Sequence, residues 1–306
     1  MARIINRRGL LRSLGGLALL PLIPERGLMA AINPNPGLLT RPIPATGEPM
    51  PIIGMGTWRT FDVGSDRDDR ARCVKILEEF FSRGGGMIDS SPMYGTAQDV
   101  IGHCLARIQK SPGLFSATKV WMLGKHQMKT SRELWGVPRF DLMQIHNMLG
   151  WRDHLETLKQ WKAEGRIRYI GITTSHGRRH RKLERALTDE TFDFVQFTYN
   201  VVDREAEQRL LPLAAERGIA VIINRPFRRG ALFDRFGNRP LPGWASEFDC
   251  ANWAQFFLKF IVSHPAVTCA IPATSQVAHM QENVGAAYGA LPDMAMRQRM
   301  LQYLDA

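Results

Sequence analysis

The sequence contains little of what marks several common protein classes. It has four cysteines among 306 residues and no C-x-x-C pair, so neither a zinc site nor a dense disulfide framework is indicated. It has no G-x-G-x-x-G motif, the phosphate-binding turn of Rossmann domains, and no internal repeat. No apolar run reaches the roughly 20 residues of a membrane-spanning helix, so no stable membrane span is predicted. The cysteines, expected to be buried free thiols, are Cys73, Cys104, Cys250 and Cys269.

Acidic residues are also scarce relative to basic ones. The 29 Asp and Glu against 40 Lys and Arg give a net charge of +11. This excess favours an anionic partner such as nucleic acid, a membrane surface or a phosphorylated small molecule. No basic stripe interleaved with aromatic residues is present, so nucleic acid is not the expected partner. With 44% hydrophobic and 23% charged residues, the composition is that of a globular protein, which excludes the disordered and fibrous classes.

The first 31 residues have the composition of an export signal peptide. A basic segment ends in Arg7 and Arg8, and an apolar run at residues 14–23 follows it. Ten apolar residues suit the hydrophobic region of a signal peptide, and the paired arginines resemble a twin-arginine signal. We therefore expect the twin-arginine export machinery as a partner and a periplasmic location, with residues 32–49 as a linker. If the segment is instead an amphipathic N-terminal helix, a cytoplasmic location is expected.

From residue 50 onward, short apolar segments alternate with longer segments of helical periodicity. The predicted strands are residues 52–57, 87–90, 114–119, 140–146, 169–173, 194–197, 220–223 and 267–271. The predicted helices are residues 67–83, 97–109, 130–135, 152–164, 177–187, 205–217, 250–263 and 277–288, with a last amphipathic segment at 294–304. Eight strands that alternate with helices in about 250 residues are typical of a (β/α)8 TIM barrel. Residues 50–306 are therefore predicted to be one α/β barrel domain.

Polar residues stand at the ends of three consecutive predicted strands. Asp89 ends the second strand, Lys119 the third and His146 the fourth, and Tyr94 follows Asp89 by five residues. Chemistry in such barrels takes place where the strands end, so the four side chains are predicted to meet at one mouth. A phenol is a poor proton donor at neutral pH unless a nearby cation lowers its pKa, and Lys119 can supply that cation. The set predicts a general acid that protonates an oxyanion as hydride arrives at carbon.

Seven stretches, in order, resemble the aldo-keto reductase superfamily. They are G-M-G-T-W (54–58), D-S-S-P-M-Y-G (89–95), A-T-K-V-W (117–121), F-D-L-M-Q-I-H (140–146), G-R-I-R-Y-I-G-I-T-T-S (165–175), F-V-Q-F-T-Y-N (194–200) and A-I-P-A-T-S with M-Q-E-N (270–283). The resemblance implies a (β/α)8 barrel, a nicotinamide cofactor bound without a Rossmann loop, and carbonyl reduction. It also implies that Tyr94 is the acid, that Asp89 supports Lys119, and that His146 positions a small carbonyl substrate.

The same resemblance implies a cofactor site along several loops. Thr173 and Gln196 are expected to hold the carboxamide, the loop after strand seven the pyrophosphate, and residues 273–283 the adenosine end. The expected cofactor-binding residues are Gly56, Thr57, Trp58, Thr173, Gln196, Arg225, Phe227, Gly230, Thr274, Ser275, His279, Glu282 and Asn283. NADP(H) is expected in preference to NAD(H), with support from Thr274 and Ser275. The positions of the basic pair that typically holds a 2′-phosphate are Ala273 and His279.

Two positions depart from the family pattern. Thr174 stands where an asparagine is usual after strand five, and Asn224 stands where an aromatic residue usually stacks on the nicotinamide. Phe227 replaces that aromatic residue only if its loop shifts. The main prediction is an oxidoreductase that reduces an aldehyde or ketone. The departures leave an alternative open, a weakly catalytic or non-catalytic nucleotide-binding sensor or regulatory barrel.

Three segments hold the positive charge. Residues 1–31, 178–185 and 225–239 each carry +4, and the rest of the chain is close to neutral. The second and third segments follow predicted strands five and seven. We therefore expect both of them to lie toward the active-site end of the barrel, where they attract dinucleotide phosphates.

Overall fold

A computed structural model describes residues 37–108, 111, 113–122 and 126–306. The predicted export signal and the beginning of the linker lie outside these residues. Eight parallel strands follow one another around a barrel in sequence order. A β-bridge between Ile53, just before the first strand, and Ala270, in the last strand, connects the two edges of the sheet. The barrel strands are β3 (Met55–Gly56), β4 (Met87–Asp89), β5 (Phe115–Val120), β6 (Phe140–Ile145), β7 (Ile167–Thr173), β8 (Phe194–Thr198), β9 (Ala220–Asn224) and β10 (Cys269–Ala270). The predicted (β/α)8 fold is confirmed.

Helices surround the sheet and connect its strands. Those in the described residues are α1 (Arg67–Ser82), α2 (Ala97–Leu105), α3 (His126–Trp135), α4 (Trp151–Ala163), α5 (His180–Asp189), α6 (Leu210–Glu216), α7 (Ala231–Phe236), α8 (Trp253–Val262), α9 (Val277–Gly285) and α10 (Met294–Asp305). The predicted helices 177–187 and 205–217 begin with 3-10 turns, at Gly177–Arg179 and Glu205–Glu207. Helix α7 was not predicted, and α3 begins four residues earlier than predicted.

Helix α1 shows why these segments are helical. The Asp66 carboxylate accepts hydrogen bonds from the backbone N–H groups of Asp68 and Asp69, which satisfies two of the free donors at the helix start. Its buried side chains recur at three- and four-residue spacing and face the sheet; they are Cys73, Ile76, Leu77, Phe80 and Phe81. The four cysteines are all buried and free, as predicted.

The inward side of the barrel changes from apolar to polar along most of its strands. Successive side chains of a strand point to opposite faces, so every second residue faces the barrel axis. On β6 the inward series is Leu142, Gln144 and then His146 just beyond the strand, and on β5 it runs from Ala117 to Lys119. The apolar ends form one buried cluster inside the barrel, which includes Phe115, Leu142, Tyr169, Phe194 and Ile222. The polar ends therefore collect at the carboxyl end of the sheet.

A hairpin closes the opposite end of the barrel. Strands β1 (Thr40–Pro42) and β2 (Pro49–Pro51) pair antiparallel, within residues 32–49 that the sequence suggested as a linker and just beyond. Ile43 and Met50 are buried in the interior cluster. Glu48 accepts a hydrogen bond from the Tyr169 hydroxyl at 2.8 Å and pairs with Arg168, which fixes the hairpin to β7. Residues 40–49 therefore belong to the barrel domain, because their apolar side chains fill its base.

Among the described residues, no helix combines the length and the apolar character that crossing a membrane requires.

Candidate active site

A buried ion pair lies at the polar end of the barrel. The Nζ atom of Lys119 donates to Asp89 Oδ2 at 2.5 Å and to the Ser90 carbonyl at 2.9 Å. The side chains are 1% and 3% exposed, so both charges are removed from water. The Asp89 carboxylate raises the pKa of Lys119 against the opposing effect of burial, and Lys119 stays a cation. The predicted support of the lysine by Asp89 is therefore present in the geometry.

Two glutamines hold the other oxygen of Asp89. Gln144 Nε2 and Gln196 Nε2 donate to Asp89 Oδ1 at 2.7 and 3.0 Å. Gly171 lies beside Gln144 on the neighbouring strand, where a Cβ atom would come within 2.9 Å of Gln144 Cγ. The glycine thus leaves the space that the glutamine side chain occupies. The carboxylate is fixed in one orientation by three donors.

Tyr94 lies above the ion pair. The Nζ atom of Lys119 is 5.1 Å from the centre of the Tyr94 ring. Burial raises the pKa of Tyr94, and this effect exceeds the lowering that the Lys119 charge produces. The expected lowering by Lys119 is therefore present, but burial sets the net direction. The phenol keeps its proton at neutral pH, which is the state that a general acid requires.

His146 is neutral at physiological pH. Burial and, to a lesser extent, the charge of Lys119 lower the pKa of His146 to about 3. Ser91 Oγ lies 3.0 Å from His146 Nδ1 and accepts the Met93 N–H at 3.2 Å, and its hydroxyl proton can be donated to Nδ1. The ring then carries its own proton on Nε2. His146 meets Tyr94 edge to face, with the ring centres 5.9 Å apart.

A cavity of about 590 Å³ opens beside these groups at the carboxyl ends of the strands. All four predicted catalytic residues line it. So do eleven of the predicted cofactor residues: Gly56, Thr57, Trp58, Thr173, Gln196, Arg225, Phe227, Gly230, Thr274, Ser275 and His279. A concave, partly apolar space of this size is typical of a cofactor or small-molecule site. The sequence therefore predicted which of these side chains lie around one cavity, and their roles in binding and catalysis stay predictions.

Glu282 and Asn283 do not line this cavity. Both lie in the second half of α9, where Asn283 is buried and Glu282 is half-buried. Thr274 and Ser275 precede α9, and Thr274 Oγ1 accepts the Gln276 N–H at 3.1 Å. At the predicted adenosine end, the start of α9 therefore lines the cavity and its later turns do not.

The polar groups near the predicted carboxamide position retain unused hydrogen-bond donors and acceptors. Gln196 Nε2 uses both hydrogens, on Asp89 and on Gln144, while Gln196 Oε1 accepts one bond, from Asn224 at 3.3 Å. Thr173 Oγ1 accepts the Asn147 N–H at 2.9 Å and retains its own proton. One acceptor position and one donor therefore remain for an amide.

Asn224 is tied into the barrel by hydrogen bonds. Its Oδ1 accepts from Thr198 Oγ1 at 2.8 Å, and its Nδ2 donates to the Thr174 carbonyl at 2.9 Å. Phe227 lines the cavity and packs on Phe233, with the ring centres 4.8 Å apart. The two departures from the family pattern, at Thr174 and Asn224, therefore contact each other.

Arginines stack on an aromatic side chain at the cavity rim. Trp58 is 37% exposed, and the guanidinium groups of Arg229 and Arg59 lie 4.5 and 5.3 Å from its ring centre. Arg225, Arg229 and Arg59 all line the cavity. Arg229 belongs to the loop after β9 and Trp58 to the loop after β3, so the stack joins two loops across the opening.

The two basic segments separate in space. Of residues 225–239, Arg225 and Arg229 line the large cavity, as expected. Of residues 179–185, whose side chains the structure describes, none lines it; Arg179, Lys182 and Arg185 line a different cavity beside α4. The prediction that this segment attracts the same phosphates is therefore wrong for Arg179, Lys182 and Arg185, because these side chains line the second cavity.

Comparison with known proteins identifies the family. The sequence profile described as the aldo/keto reductase family matches residues 52–299. This chain belongs to that family. It is 25% identical to an aldo-keto reductase of Strobilurus tenacellus over 282 residues, 78% of this chain and 82% of that protein. It is 23% identical to the NADH-specific methylglyoxal reductase of Escherichia coli over 67% of this chain and 72% of that enzyme.

Solved structures of family members share the fold. An aldo/keto reductase from Klebsiella pneumoniae, crystallised with NADP and acetate, superposes with a TM-score of 0.71 at 21% identity. The superposition covers 84% of this chain and 93% of that one. The chain is thus an oxidoreductase of the aldo/keto reductase family with the family's barrel.

Several residues of the site were not predicted from the sequence. Ser91 and Gln144 fix His146 and Asp89, and Arg229 completes the stack on Trp58. Gln144 was detectable, because it lies two residues before His146 and shares its face of the strand. Arg229 was not, because its position depends on the path of the loop after β9.

Proposed function

We propose that this protein reduces the carbonyl group of an aldehyde or ketone with NADPH, and that Tyr94 is the proton donor. The observation that carries the proposal is the arrangement of a neutral phenol, a buried cation and a neutral imidazole on one cavity wall. These groups can stabilise an oxyanion as it develops on the substrate. They are already in the required protonation states before the reaction begins.

The cavity residues fit a nicotinamide dinucleotide. Thr173 and Gln196 retain a donor and an acceptor for the carboxamide, and Arg225 and Arg229 offer positive charge to a pyrophosphate. Thr274 and Ser275 stand before the N-terminus of α9, where backbone N–H groups favour phosphate. Bound there, the reduced dinucleotide supplies a hydride to the carbonyl carbon.

The protein's own residues handle the oxygen. His146 donates from Nε2 to the carbonyl oxygen, because Ser91 occupies Nδ1. Tyr94 passes its hydroxyl proton to the same oxygen as negative charge develops there. The nearby Lys119 cation stabilises the phenolate that remains, and Asp89 with its two glutamines keeps the lysine in position.

Replacement of Tyr94 tests this assignment. In Tyr94→Phe, kcat for reduction of a panel of aldehydes is expected to fall by about 10²–10⁴, whereas the Kd for NADPH stays within twofold. Tyr303→Phe is the control, because that hydroxyl donates to the Pro240 carbonyl on the outside of the barrel. Retention of most of the turnover in Tyr94→Phe would refute the assignment.

The preference for NADP(H) over NAD(H) is part of this proposal. Thr274, Ser275 and His279 at the cavity edge support it, since hydroxyl and imidazole groups can donate to a 2′-phosphate. The name of the Escherichia coli relative, an NADH-specific enzyme, points the other way. Parallel measurements of kcat/KM with NADPH and NADH decide between them; an equal or higher value with NADH would refute the preference.

Asn224 supports an alternative, a nucleotide-binding sensor or regulatory barrel with little turnover. Its side chain is bonded to Thr198 and Thr174 where family members usually present a stacking ring. In that case the protein would bind NADPH but turn over no aldehyde in the panel. Turnover with any aldehyde that Tyr94→Phe abolishes would favour the reductase.

We also propose that the protein reaches the periplasm by the twin-arginine route with its dinucleotide already bound. The support is the sequence of residues 1–31, with Arg7 and Arg8 before a short apolar run. Nucleotide released by denaturation of periplasmic protein is the expected result. A cytoplasmic location of the full chain, unchanged when Arg7 and Arg8 are both replaced by Lys, would contradict it.

A further inference from the structure

A second cavity lies between the start of α4 and α5, outside the barrel mouth. Its volume is about 470 Å³. Its wall is formed by Met148, Leu149, Gly150, Trp151, Arg152, Arg179, Lys182 and Arg185. None of these residues lines the large cavity, so the two spaces have separate walls.

The charge of this cavity is entirely positive. Four of its eight lining residues are Arg or Lys, and none is acidic. Within the described part of the chain, none of the four forms an ion pair; the Arg179 guanidinium donates to the Asn147 carbonyl. Two other basic side chains are paired, Arg209 with Glu184 and Lys162 with Asp193. Like charges that share a concave space repel one another unless an anion enters it.

The rest of the wall is apolar. Met148 is buried, Leu149 is 39% exposed, and the Trp151 ring lies beneath the Arg152 guanidinium at 4.4 Å. An arginine over an indole forms a flat surface with a positive edge, which suits a planar group that carries negative charge. The cavity therefore has two kinds of wall, one for charge and one for an apolar body.

The backbone adds to the positive potential. Helix α4 has 13 residues, and its N-cap, Gly150, has no side chain to accept the first N–H groups. These donors and the positive end of the helix dipole lie at the cavity wall that Gly150, Trp151 and Arg152 form. They add to the positive potential that the four cations already produce.

From this geometry we infer a second ligand site, one that binds a small organic anion with at least two negative charges on a flat apolar body, such as an aromatic phosphate or polycarboxylate. Lys182, Arg185, Arg179 and Arg152 bind the charged group, and Trp151 with Leu149 contacts the apolar part. The inference is independent of the proposed reductase function, because no residue is shared with the large cavity.

Calorimetric titration with phenyl phosphate tests the site. The full protein is titrated at low ionic strength with and without saturating NADP⁺, which covers the large cavity if it binds there. We expect one bound phenyl phosphate in the presence of NADP⁺, at least tenfold tighter than inorganic phosphate, and weaker with added salt. Benzyl alcohol, which has the ring without the charge, is expected not to bind.

Charge reversal on α5 locates the site. Lys182→Glu and Arg185→Glu are each expected to weaken phenyl phosphate binding at least tenfold. Arg181→Glu is the matched control, because Arg181 is an exposed residue of the same helix that does not line the cavity. Its effect is expected to stay below threefold.

Three results would overturn the inference. They are no binding of phenyl phosphate at low ionic strength, equal weakening by Arg181→Glu and Lys182→Glu, or equal affinity for inorganic phosphate and phenyl phosphate. Failure of NADP⁺ to bind would contradict the proposed function instead, and the comparison of the α5 variants without NADP⁺ would still decide the second site.

Discussion

Lys119 and Asp89 show what a buried ion pair demands of a single residue. Both charges are almost fully removed from water, and the carboxylate has two further donors, Gln144 and Gln196. Replacing both partners of such a pair by apolar residues is often neutral, but removing one leaves an uncompensated charge. Each member of the pair is therefore needed for the stability of the fold, whatever its role in catalysis.

Loss of Lys119 alone is expected to destabilise the fold. In Lys119→Met, the free energy of unfolding should fall by about 3–5 kcal/mol, because Asp89 remains buried without its cation. Urea denaturation measures this. Lys129→Met is the matched control, because Lys129 is exposed and its ion pair with Glu133 is long, at 3.8 Å. This replacement should lower the free energy of unfolding by at most about 0.5 kcal/mol. Equal losses in the two variants would contradict the account.

His146 predicts a specific dependence of stability on pH. Its pKa is about 3 in the folded protein and 6.5 ordinarily. Below pH 6.5 the unfolded chain binds a proton that the folded one does not, so stability falls as the pH decreases from 6.5 toward 3. The contribution of this residue between pH 7 and pH 5 is roughly 2 kcal/mol.

Urea denaturation of His146→Gln at both pH values checks this number. The variant should lose about 2 kcal/mol less than the parent protein between pH 7 and pH 5, since glutamine does not titrate. His126→Gln, at an exposed position on α3, should leave the difference unchanged. A parent and a His146→Gln protein with the same pH dependence would show that burial does not keep the imidazole neutral.

At the scale of elements, the hairpin of β1 and β2 closes the barrel base. Ile43 is fully buried within the interior cluster, and truncation of such a side chain leaves a cavity. Ile43→Ala should therefore lower the free energy of unfolding by about 2–5 kcal/mol. Thr40→Ala, an exposed position of the same hairpin, should change it by no more than about 0.5 kcal/mol. Thermal or urea unfolding measures both, and a small loss in Ile43→Ala would mean that the hairpin does not fill the base.

The elements that the sequence predicted are those with a clear periodicity. β6 is a mostly apolar run that ends just before His146, so its position could be predicted, and the two-residue period of a strand places Leu142, Gln144 and His146 on one face. β1 and β2 have three residues each and contain Pro42, Pro49 and Pro51, which suppress any strand pattern. They are strands only because Ile43 and Met50 fill the end of a barrel that other segments build.

The same distinction explains which residues of the site could be predicted from the sequence. Asp89, Lys119 and His146 follow strands, and the order of parallel strands fixes where strand ends meet, so their convergence was predictable. Arg229 and the residues of α5 depend on loop paths, which the sequence does not fix. The direction of the pKa of Tyr94 depends on the balance of burial and charge, which only the packed structure determines.

For the whole molecule, the charge of +11 divides into parts with different positions. Residues 1–31 carry +4, so residues 32–306 carry the remaining +7. Arg225 and Arg229 face the large cavity, and Arg179, Lys182 and Arg185 face the second one. A dinucleotide phosphate that enters the large cavity therefore reduces repulsion within the folded state, and ligand binding should be visible as a gain in global stability.

A thermal shift measures this gain and separates the two dinucleotides. NADPH at one hundred times its Kd should add about 2.7 kcal/mol to the free energy of unfolding and raise Tm by roughly 5 °C. NADH at the same concentration should raise Tm less, and added salt should reduce the NADPH shift more than the NADH shift, because only NADPH has a 2′-phosphate to be screened. Arg229→Gln should diminish both shifts, whereas Arg181→Gln, outside both cavities, should diminish neither. Equal shifts with equal salt dependence would contradict the NADP(H) preference, and no shift with either would contradict a dinucleotide in the large cavity.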